Sequence, residues 1–150
     1  MIFFLSGEDS YSAQEKLKQI KKKFQKEIDP SGINISFFSG ENFDLEKFNS
    51  TSSQGGFLAK RRLIIVKNLL TNKPGKETAD SLSSLLKKIQ SSENIFVFYE
   101  AGLPDKRTSL FKTLNDKKNL VQEFKPLDNF KLKKWITDYI KEKSGLIKPD

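Results

Sequence analysis

Two short runs constrain the fold more than any other feature of the sequence. Leu63-Ile64-Ile65-Val66 and Ile95-Phe96-Val97-Phe98-Tyr99 are apolar at every consecutive position. A strand with one wetted face alternates apolar and polar residues, whereas a strand covered on both faces does not. Both runs fall far short of the ~20 residues that a membrane helix needs. They predict central strands of a largely parallel sheet with helices on each side, a three-layer α/β arrangement. The strand candidates are Ile2–Leu5, Asn34–Phe38, Leu63–Lys67, Ile95–Glu100 and Leu120–Phe124, mostly β-branched or aromatic and bounded by Gly, Pro, Asn or Asp.

Between these runs the apolar period changes to that of a helix. Ala13, Leu17, Ile20, Phe24 and Ile28 form one stripe, capped by Asp9 or Ser10 and stopped by Pro30 and Gly32. Leu45 and Phe48 mark a brief helix, Leu82, Leu85, Leu86 and Ile89 a longer one, and Leu110, Phe111 and Leu114 a short one after Asp105. The last is the clearest: Asp128 caps it, Leu132, Trp135, Ile136, Tyr139 and Ile140 form its stripe, and Lys141 and Lys143 sit in its final turn. Gly145 and Pro149 end it. Asn49 to Gly56 is the loosest stretch. The order is β-α repeated five times, within the 150 residues of one domain.

The residue types that are missing narrow the chemistry. Cys and His are both absent, which excludes disulfides, zinc sites of the usual type, a thiol nucleophile and an imidazole base. The opening Met1-Ile2-Phe3-Phe4-Leu5 has no basic leader and runs into Ser6-Gly7-Glu8-Asp9, so a cytoplasmic protein away from membranes is expected. That first strand-to-helix turn is also where an open parallel sheet binds ligands. A phosphate-cradling loop needs a second Gly five residues after Gly7, followed by Lys and Ser or Thr. Ser12-Ala13-Gln14 stands there instead, and Glu8 and Asp9 repel a triphosphate, so neither ATP nor another cofactor is expected.

Two enzymatic or binding alternatives remain at this level. Glu8, Asp9 and Glu100 could share one rim and hold Mg²⁺ for nuclease chemistry. Against this, Asp9 reads as a helix cap and Glu100 as a solvated acid, so no metal site is expected. The formal charge of +8 suggests nucleic acid through Lys21-Lys22-Lys23, Lys117-Lys118, Lys131, Lys133 and Lys134. Yet 24 of the 27 cations are Lys, whereas base reading favours bidentate Arg. Nonspecific backbone contact fits this composition, and sequence recognition does not.

One segment resists division into core and solvent: Gln54-Gly55-Gly56-Phe57-Leu58-Ala59-Lys60-Arg61-Arg62. Burial physics favours tucking Phe57 and Leu58 under the sheet; the glycines and polar flanks allow them to be presented outward on a short helical turn.

The order and spacing of several segments resemble the N-terminal domain of the delta subunit of bacterial DNA polymerase III. These are Ile2 to Asp9, Phe57 to Val66, Leu103-Pro104-Asp105-Lys106-Arg107 with Leu110-Phe111-Lys112, and Glu123-Phe124-Lys125-Pro126-Leu127 followed by Trp135-Ile136 and Gly145-Leu146-Ile147. The resemblance implies a RecA-like AAA+ fold, with a mostly parallel five-stranded sheet and a degenerate nucleotide site. It implies a non-catalytic accessory subunit that binds the sliding clamp and helps open it for loading on primed DNA, without hydrolysing ATP. The clamp-binding residues would be Phe57, Leu58, Ala59 and Arg61, with the apolar pair in reverse of the family's usual Leu-Phe order. The partners would be the sliding clamp, other clamp-loader subunits and primed DNA. Residues 1–144 would form the clamp-binding domain and 145–150 the start of a truncated lid, with lid and collar absent.

Overall fold

The computed structural model describes residues 1–144. Its elements are β1 (Ile2–Ser6), α1 (Ser10–Glu27), β2 (Ile35–Ser39), a 3-10 turn (Gly40–Asn42), α2 (Leu45–Ser53), β3 (Leu63–Lys67), α3 (Lys76–Ile89), β4 (Ile95–Tyr99), α4 (Ser109–Leu114), β5 (Leu120–Glu123) and α5 (Asn129–Ser144). The strands lie in the order β2-β3-β4-β1-β5, and every pairing is parallel. The order predicted from the sequence stands, with strand boundaries moved by a residue or less.

Register explains why the central runs are apolar throughout. Ile64, Phe96 and Ile2 form one row across the sheet and Val66, Phe98 and Phe4 the next. Both rows face α2, α3 and α4, where Phe48, Leu82, Leu86, Ile89, Leu110, Phe111 and Leu114 complete one core. The alternate residues Leu5, Leu63, Ile65, Val97 and Tyr99 turn to the opposite face and meet Ala13, Leu17 and Phe24 of α1. The edge strands differ: β5 is exposed along its length, and Phe37 of β2 lies at the surface under the Lys21 ammonium.

Local chemistry sets the helix ends. The Asp9 carboxylate accepts from the Ser12 amide at 3.1 Å and starts α1, and Asp44 does the same for α2 through Lys47. Thr108 caps α4, the short helix after Asp105, by accepting from the Phe111 amide. The Asn49 to Gly56 stretch is not loose throughout, because α2 continues to Ser53. Its serines bond back to the helix, Ser52 Oγ to the Phe48 carbonyl at 2.6 Å and Ser53 Oγ to that of Asn49 at 2.8 Å.

The last helix departs most from expectation. Asp128 caps it through the Lys131 amide at 2.8 Å, yet none of its described residues is fully buried. Its tie to the body is aromatic. Trp135 packs edge-on against Tyr11 of α1 at 5.2 Å and stacks on Tyr139 at 5.4 Å. Gly145, Pro149 and the expected lid at 145–150 lie outside the described residues. Among those described, no helix is long and apolar enough to cross a membrane.

Candidate functional site

An all-parallel sheet has two unlike rims, one at the strands' amino ends and one at their carboxyl ends. The α2–β3 loop containing Phe57 and Leu58 belongs to the amino rim. Both side chains point into solvent, Phe57 at 64% and Leu58 at 91% exposure. Burial under the sheet, favoured by hydrophobicity alone, is overturned, and so is the helical turn. The segment is a series of bends, with Leu58 in the left-handed region at φ 55. That conformation costs a non-glycine residue roughly 1–2 kcal/mol, so other contacts hold it. Ala59 is half-buried and Arg61 exposed. An open groove of about 870 Å³ runs beside them, lined by Glu27, Ile28, Leu58, Lys60 and Arg61 among others.

Two buried asparagines fix this loop. Asn34, fully buried, donates from Nδ2 to the Phe57 carbonyl at 2.9 Å and accepts the Phe57 amide at Oδ1 at 2.5 Å. Asn94 accepts the Arg62 amide at 2.9 Å and donates to the carbonyls of Ser52 and Gln54. Arg62 closes the base through Nε, which donates to the Gly55 carbonyl at 3.0 Å. Gly56 is required at the turn, because a Cβ there would sit 2.5 Å from the Ala59 carbonyl oxygen.

Asn34 is itself oriented by Asp29, whose carboxylate accepts the Asn34 amide at 2.8 Å and the Ser31 hydroxyl at 2.7 Å. Burial pushes the Asp29 carboxyl pKa up, but the hydrogen bonds from Ser31 and Asn34 outweigh it and hold the group below its ordinary value. The amino terminus shares this rim, donating to the carbonyls of Ser92 and Asn94. Burial and then the Arg61 charge lower its pKa.

At the carboxyl rim, the β1–α1 turn spends several of its amides inside the chain. In the β1–α1 turn, the Gly7 amide donates to Gly102, that of Asp9 to Phe124 and that of Ser10 to Glu8, while the Ser12 amide is taken by Asp9. Gly7 adopts φ 138, and any side chain there would collide with the Phe124 backbone. These four amides, which a phosphate cradle would turn outward, are spent inside the chain.

The three-carboxylate metal site is likewise overturned. Glu100 is not a solvated acid: it is 1% exposed and accepts the Leu70 amide at 2.8 Å, the Thr71 amide at 3.0 Å and the Thr71 hydroxyl at 2.7 Å. Asp9 is engaged as a cap. Among the described residues, no group of three Asp, Glu, His or Cys is placed to hold a metal ion. Nearby Asp105 is pulled down to about 2 by hydrogen bonds from Arg107, which serves to fold that loop.

Sequence reasoning singled out the exposed pair but missed what holds it. Asn34, Asn94 and Asn119 each stand immediately before a strand and are buried, and Asn119 binds the carbonyls of Thr113 and Leu114. The repeated Asn before an apolar run was the available signal.

Comparison with known proteins agrees with this architecture. The family model for DNA polymerase III, delta subunit, matches residues 3–124. The solved Bacillus subtilis DNA clamp loader delta protein is similar with a TM-score of 0.68 and 25% identity, covering 95% of this chain and 43% of that one. A DNA polymerase III gamma subunit-related protein from Thermotoga maritima shares the fold, with a TM-score of 0.58 and 15% identity over 95% of this chain and 45% of that one. The chain thus spans less than half the length of the structures it matches. No match was found among curated protein sequences. The AAA+-like three-layer fold stands, and the chain belongs to the DNA polymerase III delta subunit family.

Proposed function

We propose that this chain is a non-catalytic clamp-loader module that binds the sliding clamp through Phe57, Leu58, Ala59 and Arg61 and helps open it for loading on primed DNA. Residues 1–144 make up the clamp-binding domain, ATP is not hydrolysed, and the protein works in the cytoplasm beside other loader subunits. The observation that carries the reading is the outward display of Phe57 and Leu58 on a loop fixed from beneath by buried side chains. Solvent-exposed apolar pairs on rigid supports are what binding hot spots are made of.

Burying Phe57 and Leu58 supplies about 1.5–3 kcal/mol each, against about 8 kcal/mol for micromolar binding. The groove beside the loop, with Lys60 and Arg61 on its wall, is available for the remaining contact. Opening the ring further requires that the pair bind the opened clamp better than the closed one, because equal affinity shifts no population.

The test is a titration of the chain against the sliding clamp of its own organism, beside Phe57→Ala/Leu58→Ala of unchanged fold. Loss of the two side chains is expected to weaken binding at least a hundredfold, about 2.7 kcal/mol. Equal binding by the double variant sinks the reading. If DNA affinity instead falls steeply with salt and ignores the pair, the chain is a nonspecific DNA-binding domain.

A further inference from the structure

We propose that Asn34 is the positioning residue of the clamp-contact loop, held in turn by the Asp29 carboxylate; the inference rests on the clamp reading given above. The Asn34 side-chain amide meets both polar groups of the Phe57 backbone, donating to its carbonyl and accepting from its N–H. It does so across 23 residues of sequence, as a strand partner would. Two bonds of opposite sense on one residue fix the peptide planes on both sides of Phe57.

The next residue is the one whose backbone needs restraint. Leu58 lies at φ 55, and a leucine left to itself leaves that region for the right-handed or extended one. Relaxation would rotate the Phe57-Leu58 display away from its present direction. Asn34 opposes this from the side of Phe57, and its own direction is set because its backbone amide donates to Asp29 Oδ2 while Ser31 holds Oδ1. Asn34 and Asp29 are both buried, so water does not compete for these bonds. Neither residue is exposed to a partner, and their effect on binding passes through the loop. A loop that holds its binding conformation for only a fraction of the time loses affinity by that fraction.

Four chains tested against the sliding clamp decide the matter: unaltered, Asn34→Ala, Phe57→Ala/Leu58→Ala, and all three substitutions together. Asn34→Ala is expected to weaken binding about tenfold, and the triple variant to bind no more weakly than the double one. Unchanged affinity of a folded Asn34→Ala chain overturns the proposal. So does a tenfold loss that persists without Phe57 and Leu58, since Asn34 would then act elsewhere. If the double variant binds as well as the unaltered chain, the clamp reading falls and takes this inference with it. Amide exchange in the unaltered chain gives a second readout that needs no variant to fold. A Phe57 N–H held by Asn34 is expected to exchange about 100-fold slower than in an unstructured peptide, and free exchange there overturns the proposal.

Discussion

Glu100 illustrates how one carboxylate can be placed by folding and not by catalysis. It follows directly on β4, and its two oxygens gather the Leu70 amide and both donors of Thr71, closing the turn after β3. Replacing it with Gln sets an NH₂ group against donors, leaving buried amides unsatisfied at about 1–3 kcal/mol. Glu100→Gln should therefore lower the thermal midpoint by several degrees and leave the proposed clamp binding intact, measured by calorimetry and titration on the same sample. Asp29 carries a pH dependence of definite sign. Its folded pKa lies below the ordinary value of about 3.9, so its contribution is present above that pH and is lost as acid protonates the folded group. Urea midpoints compared at pH 6 and pH 3 should fall more for the unaltered chain than for Asp29→Asn; equal slopes would mean that the Asp29 bonds add nothing. The partners of Glu100 and Asp29 were not legible beforehand. An acid after an apolar run reads as solvated, and Asn34 reads as the start of a strand, because the sequence does not show which distant amide each meets.

Elements were more legible than residues, and the exception is instructive. Consecutive apolar residues identified β1, β3 and β4, and their two-sided burial is set by which helices lie on each face. For α5, periodicity gave the helix and Asp128 its start, but a stripe says only which side is apolar and not what covers it. Phe130 remains 78% exposed, and the helix is tied to α1 by Trp135 and Tyr139, both edge-on against Tyr11. Aromatic pairs of this kind are worth about 0.5–1.5 kcal/mol each, so Trp135→Ala should shift the docking of α5 by roughly tenfold. Limited proteolysis should then cut faster within Asn129–Ser144 while amide protection in β3 and β4 stays as it was. Protection lost in the sheet as well would mean that α5 folds as one unit with the core.

At the scale of the whole molecule, the parallel sheet keeps two rims apart by the length of its strands, roughly 15 Å for five residues. The amino rim carries the asparagine-fixed loop with Phe57 and Leu58. At the carboxyl rim, where folds of this topology take nucleotides, the turn amides are already bound to Gly102, Phe124 and Glu8. This division was partly legible: the missing Lys and second Gly after Gly7 showed that the cradle was incomplete, while the bonds to Gly102 and Phe124 emerge only when the segments after β4 and β5 pack against the turn. A ligand alters binding at a distant site only if it binds one conformation better than another. The amides of Gly7, Asp9, Ser10 and Ser12 are taken and the Lys106 ammonium at this rim pairs with Glu123, so millimolar ATP with Mg²⁺ should leave both the proposed clamp binding and the thermal midpoint of this chain unchanged. A site with a dissociation constant of 10 μM would be nearly saturated at 1 mM, stabilising the fold by about 2.7 kcal/mol, a shift that calorimetry resolves easily. A rise of that size would show that ATP binds the folded chain despite these internal bonds. No rise would mean that this chain does not bind ATP at millimolar concentration.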